Sequence, residues 1–152
     1  MTRFNQSRDQ LFFNSINDEL INRVIETEVV LYKTIIDASN PDDIYGESPE
    51  RSYYVGTSFN CIISRDNADA TTDEFGQNVS QNIILAINRE FIKEKGVYPE
   101  NGDVFMWHDF YYEIDNVIEN QYIAGRKEIN WSFVCNAHLS NMSQINILPR
   151  NK

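Results

Sequence analysis

GDVFMWHDFYYEIDNVIENQYIAG, from Gly102 to Gly125, is the stretch whose reading decides the fold. Val104–Trp107 and Phe110–Val117 are two runs of β-favouring residues with only His108 and Asp109 between them, the spacing of a two-residue hairpin loop. The stretch therefore predicts a β-hairpin whose second arm is a long strand. Just upstream, Tyr98, Pro99, Glu100, Asn101, Gly102 and Asp103 supply the turn into that hairpin. Downstream, Asn120 to Glu128 reads as a turn or loop around Gly125.

Working outward, the same pattern recurs. Tyr53, Val55, Thr57, Phe59, Cys61 and Ile63 alternate with Tyr54, Gly56, Ser58, Asn60, Ile62 and Ser64, so a half-buried strand is expected there. Trp131, Phe133, Cys135, Ala137 and Leu139 alternate with Asn130, Ser132, Val134, Asn136 and His138 as a last strand. Glu28 to Ile36 is too dense in β-branched and aromatic residues for one helix face and predicts a buried first strand. Val79 to Phe91 predicts either a long strand or a strand turning into a short helix, ending at Lys93, Glu94 and Lys95 before Gly96.

Ahead of these strands, Ser15 with Asp18 forms a variant capping box, and Ile16, Leu20 and Val24 share one helical face, which predicts a helix over about 15–26. Ser7 with Gln10 offers an earlier cap. Residues 1–14 are expected as an extended arm and 141–152 as an extended tail. Asp37–Arg51 and Asp66–Asn78 are polar, acidic and aperiodic, and both read as long loops. The fold class that follows is mainly β (α+β), a single domain over 1–152. It is a small antiparallel β-barrel or sandwich with an N-terminal helix and two long loops.

Composition narrows the function classes. The formal net charge is -10 over 152 residues, with a sequence pI near 4.5. That sign disfavours a tight grip on phosphates, yet suits a passage through which a polyanion slides without sticking. No apolar run approaches the roughly 20 residues of a spanning helix, so no membrane is expected. Cys61 and Cys135 are the only cysteines. Without a hydrophobic signal segment behind Met1, an intracellular product with reduced thiols is expected.

The chemistry sought along the chain has few carriers. His108 falls at the hairpin tip and His138 on the polar face of the last strand, neither beside a nucleophile motif. The cysteines lack a CxxC partner, and Cys61 reads as a small core residue. Counting an EF-hand from Asp66 places Ala68, Ala70 and Thr71 where ligands and the loop glycine are needed. Glu113 and Asp115 are two apart on one strand, the spacing of a surface carboxylate pair, with an acid-base pair as its functional counterpart. No phosphate loop or dinucleotide fingerprint is present. The expectation is no enzyme, no metal and no cofactor.

Three segments carry a family resemblance: NDELINRVIETEVVLYK (Asn17–Lys33), DDIYGE (Asp42–Glu47) and PENGDVFMWHDFYYEIDNVIENQ (Pro99–Gln121). With these, the chain resembles the neck proteins of contractile-tailed, T-even-like bacteriophages, the head-completion or head-closure component between portal and tail. In that family a "GD, apolar run, turn, aromatic, E-I" segment is typical. Here it is Gly102, Asp103, Val104, Phe105, then Tyr112, Glu113 and Ile114. The better-known members are longer at the C-terminus.

The resemblance implies a small β-barrel subunit of a homo-oligomeric ring, usually a hexamer, that seals the filled capsid and docks the tail. It implies a place at the head-tail junction of the virion, after synthesis in the host cytoplasm. Its partners would be portal or adaptor proteins on one side and tail terminator or tail proteins on the other, with DNA passing nearby unbound. The interaction loops expected within this picture hold Asp42, Asp43, Tyr45 and Glu47, and then Asp66, Asp69, Asp73, Glu74 and Phe75. Trp107, His108, Asp109 and Phe110 at the hairpin tip join them, with Tyr98 as a further aromatic anchor. For Trp107 and Phe110, core filling around the hairpin is the competing reading. A tail terminator or tail-tube component is the neighbouring alternative. A carbohydrate-binding or hydrolytic β-domain using exposed Tyr, Trp and carboxylates is the alternative from another class.

Overall fold

In a computed structural model that describes residues 7–35, 51–73, 76–122, 130–140 and 145–146, the hairpin from Gly102 onward is the element that closes the sheet. The strands are β1 (Glu28–Tyr32), β2 (Arg51–Ser52), β3 (Thr57–Arg65), β4 (Asp69–Asp73), β5 (Gly76–Ser80), β6 (Asn82–Asn88), β7 (Val104–Trp107), β8 (Phe110–Tyr122), β9 (Asn130–Leu139) and β10 (Ile145–Asn146). Helix α1 spans Ser7–Glu19 and α2 spans Arg89–Lys95. β7 and β8 pair from Val104↔Glu113 to Trp107↔Phe110. His108 and Asp109 hold φ of 49° and 66°, the double left-handed geometry of a type I′ turn, whose twist matches that of the strands it joins.

The order is β1-β3-β6-β9-β8-β7, and β7 returns to β1 through Val30↔Met106, Leu31↔Phe105 and Tyr32↔Val104. All six contacts between neighbours are antiparallel. The result is a closed barrel, which leaves none of these six strands with a free edge. Val29 and Leu31, Phe59 and Cys61, Ile83, Leu85 and Ile87, and Phe133, Cys135 and Ala137 alternate inward from four strands. Phe105, Tyr112 and Ile114 complete the interior.

A bulge between Ile114 and Asn116 shifts the β8 register. Before it the even-numbered Tyr112 and Ile114 are buried; after it Val117 packs on the core while Asn116 and Ile118 are exposed. An inserted residue exchanges the two faces of a strand, so β8 serves one core with two different sequence phases. Helix α2 seals the end of the barrel where β6 finishes. Asn88 caps it by accepting from the Glu90 N–H at 3.2 Å, and Gly96, at φ 67°, ends it with its N–H on the Ile92 carbonyl. Ile92 is fully buried, and Phe91 meets Phe59 edge-on at 5.9 Å. Of the two readings left open for 79–91, the strand turning into a helix is therefore the one adopted.

Several expectations are corrected. The helix begins at Ser7 rather than Ser15, so 7–14 of the expected extended arm are helical. The apolar spacing of four runs one turn further upstream, through Phe12, Ile16, Leu20 and Val24. Its last turn, Leu20–Ile25, widens into a π-helix closed by the Glu26 N–H on the Ile21 carbonyl at 3.1 Å.

The expected loop over Asp66–Asn78 contains a hairpin of β4 on β5, registered Asp69↔Ser80 to Asp73↔Gly76. This ribbon continues the β3-β6 hairpin, and its residues are mostly polar, so no apolar alternation announces it. The strand expected from Tyr53 starts at Thr57, and Tyr53 itself is joined to Thr34 by an isolated antiparallel bridge. Gly56 in between lies under β1: a Cβ there would sit 2.5 Å from Val30 Cγ1. Within the expected extended tail, Ile145–Asn146 pairs in parallel with Arg51–Ser52. Most of the Asp37–Arg51 loop, from 37 to 50, lies outside the described residues.

Candidate interaction site at the hairpin end of the barrel

β7 ends, β8 begins, β3 ends and β6 begins at one end of the barrel, so the 107–110 tip and the β4-β5 ribbon project from the same end. The turn carries His108 and Asp109 exposed, and Phe110 is 56% exposed. Trp107 is half-buried: its ring meets the His108 ring at 4.6 Å and 74°, and the Tyr112 ring at 6.4 Å. The Arg65 guanidinium, from the last residue of β3, lies 5.8 Å from the centre of the Trp107 ring. A cation at that distance is attracted by the ring face.

The floor is polar and hydrogen-bonded. Tyr112 donates its hydroxyl to Gln81 Oε1 at 3.0 Å, and Gln81 Nε2 donates to the Asp66 carbonyl at 3.1 Å. Burial pushes the Tyr112 phenol above its ordinary range although the Arg65 charge pulls the other way. Arg65, Gln81, Trp107, His108, Phe110 and Tyr112 line a cleft of about 460 Å³. An aromatic wall, one cation and two amide or phenol groups can hold a flat apolar side chain with a polar or anionic end. Acid-base catalysis would need partners that this wall does not place together.

The structure thus brings Trp107, His108 and Phe110 into one cleft, with Asp109 at its rim and Asp66 tied to its floor through Gln81. Phe110 is mostly exposed and does not fill the core, whereas Trp107 packs against the core half-buried. Asp69 stands exposed on β4, away from the cleft lining, and Asp73 lies on the same ribbon opposite Gly76. Asp42, Asp43, Tyr45, Glu47, Glu74 and Phe75 lie outside the described residues. Tyr98, offered as an anchor, meets Phe133 edge-on at 6.1 Å near the α2 end instead. Arg65, Gln81 and Tyr112 were not anticipated as site residues. Arg65 had one signal, a cation ending an alternating strand beside Asp66; Gln81 had none.

At the opposite end, Asp103 of the Gly-Asp pair is buried and structural. Its Oδ1 accepts from the Thr34 N–H at 3.0 Å, and its Oδ2 from the Glu100 N–H and Lys33 Nζ, each at 2.8 Å. Burial alone would lower the Lys33 pKa, but its bonds to Asp103 and Glu100 outweigh that and hold it above the ordinary lysine value. Gly102, at φ 88°, donates to the Ile114 carbonyl and accepts from Thr34 Oγ1.

The Glu113 and Asp115 carboxylates stand apart. Glu113 is engaged by Arg51, and Asp115 bonds His138 Nδ1 at 2.8 Å, with the bulge adjoining Asp115. Burial pushes the Cys61 and Cys135 thiols up to about 12, so neither is a ready thiolate. Among the described residues no three His, Cys, Asp or Glu side chains gather as a metal site, and no helix is long and apolar enough to cross a membrane.

No protein-family model and no curated protein matches the chain. Among solved structures, a chain of the "Virion of native gene transfer agent (GTA) particle" is similar to it at 14% identity, over 73% of this chain and 90% of that one, with a TM-score of 0.48.

Proposed function

We propose that this chain is a structural, non-enzymatic subunit of a phage-like virion, a ring-forming head-closure protein of the neck that docks the tail onto the DNA-filled head. The observation that carries the reading is the place of the Pro99–Gln121 segment. Its residues, which bear the resemblance to T-even-like neck proteins, form the two strands that close the barrel. Their turn leads to the exposed aromatic tip. A closed barrel packs sideways against copies of itself as a rigid block, while its tip and the β4-β5 ribbon reach along the axis of the ring. A net charge of -10 lets DNA pass a lumen of such subunits without adsorbing. Portal or adaptor proteins and tail proteins are the proposed neighbours, and a hexamer the proposed ring.

The test is position. Cryo-electron microscopy of purified particles should place this barrel in a ring at the head-tail junction, and the protein should travel with DNA-filled heads. Its absence from particles would overturn the reading, and retention by headless tails would move it to the tail terminator or tube.

The aromatic cleft favours one second reading, a carbohydrate-binding β-domain. A glycan array with Phe110→Ala as control tests it; an array without binding removes it. A hydrolytic version fits poorly, because Glu113 and Asp115 each hold a cationic or histidine partner outside the cleft.

A further inference from the structure

The outer face of the barrel carries a patch to which the proposed function assigns no contact. Register across four strands places Ile62 opposite Ala86, Ala86 opposite Val134, and Val134 opposite Ile118. These four outward side chains form one apolar row across β3, β6, β9 and β8, with Ile84 beside it. Ile62, Ile84 and Ile118 are 41%, 45% and 49% exposed. The neighbouring outward positions are Ser58, Asn60 and Ser64 on β3, Asn82 on β6, Asn136 on β9 and Asn116 on β8, and charge enters at the border, where Glu28 faces Asn60 and the exposed Asp115–His138 pair adjoins Asn82 and Asn116. In a chain of net charge -10 that is an unusual stretch of surface. Charge-depleted, apolar patches mark the centres of protein interfaces.

A second apolar surface lies on a different element. Phe12, Ile16, Leu20 and Val24 follow one another at spacings of four and make one stripe along α1 and its π-helical turn, exposed by 62%, 45%, 43% and 70%. No residue of α1 is buried. The helix is nevertheless fixed at its root, where Ile21 is buried and the Asn60 amide donates to Asn22 Oδ1 at 3.1 Å. Two arginines against Asp9, Asp18 and Glu19 leave Ser7–Ile25 with a single net negative charge.

We infer that the α1 stripe of one copy docks on the Ile62-Ala86-Val134-Ile118 row of the next, a head-to-tail contact between copies of this chain. The argument for a second copy is charge and shape together. Two molecules this acidic repel unless they meet through neutral surface, and these two surfaces are the uncharged row of the sheet and a nearly neutral helix. The helix is a ridge about 18 Å long from Phe12 to Val24 at 1.5 Å per residue, and the row crosses three strand spacings, about 14 Å. The row itself offers an acidic or basic partner no charge to pair with. Because the two surfaces differ, the contact is heterologous and repeats from copy to copy, closing into a ring where its rotation allows. It deepens the ring proposed above and supplies its lateral bond.

Sedimentation and native mass spectrometry of the full chain test this. Wild type should assemble beyond dimer with rising concentration. Ile16→Glu on the helix and Ile118→Lys on the sheet should each weaken self-association at least about 10-fold while leaving the melting temperature and circular dichroism unchanged. An equimolar mixture of the two variants should give a dimer and stop there, since one intact helix meets one intact sheet face. A wild-type chain monomeric up to about 1 mM would overturn the inference. So would variants that assemble like wild type, or an Ile118→Lys chain that still self-associates, the sign of a helix-to-helix contact. These outcomes are separate from position in the particle: a neck ring with intact assembly in both variants keeps the proposed function and loses this contact.

Discussion

Replacing Asp103 by asparagine should destabilise the protein more than replacing its ion-pair partner Lys33. The Asp103 side chain is 3% exposed and its two oxygens accept three hydrogen bonds, two of them from backbone N–H groups. Asparagine has one acceptor oxygen. Aimed at Glu100 and Lys33, it turns its NH2 toward the Thr34 N–H; aimed at Thr34, it turns its NH2 toward two donors. The gentler choice still strands one half-buried N–H, at about 1–3 kcal/mol, and weakens the charge-assisted bond to Lys33. A total of about 2–4 kcal/mol follows, and Asp103→Ala should cost about 3–5 kcal/mol. Lys33→Met leaves the carboxylate with both backbone donors and should cost only about 1 kcal/mol.

Urea unfolding followed by tryptophan fluorescence measures the order directly, as midpoints moving at unchanged slope. For a slope of about 2 kcal/mol/M, the asparagine variant should lose 1 M or more in midpoint. Asp103→Asn within about 0.5 kcal/mol of wild type, or less damaging than Lys33→Met, would refute the account of Asp103 as the tie between the end of β1 and the start of β7.

Alkaline pH should destabilise the fold from about pH 9 upward. Cys61 and Cys135 keep their protons to about 12 in the folded barrel against 9.0 for the free thiol. Between those values the unfolded chain alone loses them, so stability falls, by up to about 1.4 kcal/mol per pH unit for each thiol. Lys33, raised above 10.5, acts in the same direction: its contribution is complete below that value and lost as pH rises through the folded one. A urea midpoint that stays level from pH 8 to 10.5 would contradict this, and Cys61→Ala with Cys135→Ala should flatten the decline. Asp109→Gly relieves a left-handed residue in the type I′ turn and should raise stability by about 1 kcal/mol, or 2–4 °C in melting temperature; an unchanged melting temperature would count against it. Gly56→Ala should lower stability by about 2 kcal/mol, because the added methyl meets Val30 at the crossing of β1 and β3. Calorimetry reads both.

Local signals carried much of the fold. The two-residue gap at His108 and Asp109, the alternation from Thr57 to Ser64 and from Trp131 to Leu139, and the dense apolar run at Glu28 each became a strand near its expected place. Misses fall where stabilisation comes from a partner distant in sequence. The β4-β5 ribbon is mostly polar, with Ala70 opposite Val79 as its one apolar pair, and it extends the β3-β6 hairpin. The helix already covers 7–14, ahead of the cap expected at Ser15, because the apolar spacing of four continues upstream through Phe12. The bulge at Asp115, which turns Val117 inward, has no composition of its own.

At the candidate site the division is similar. The tip residues from Trp107 to Phe110 were legible because a tight turn must expose its central pair. Arg65, Gln81 and Tyr112, 16 to 47 residues apart along the chain, meet only because the barrel brings the ends of β3, β6 and β8 together. Gly102-Asp103 was legible as a motif, and its role as an anchor for Lys33 and Thr34 was not.

By itself, then, the sequence determined most of the barrel strands, the two-residue length of the central turn and the acidic balance, all set by residue types within a few positions of each other. Tertiary structure alone decided that the sheet closes, that an uncharged apolar row crosses its outer face, and that the apolar stripe of the helix stands uncovered. Those depend on register between strands, and register is a property of pairs of segments that no single segment contains.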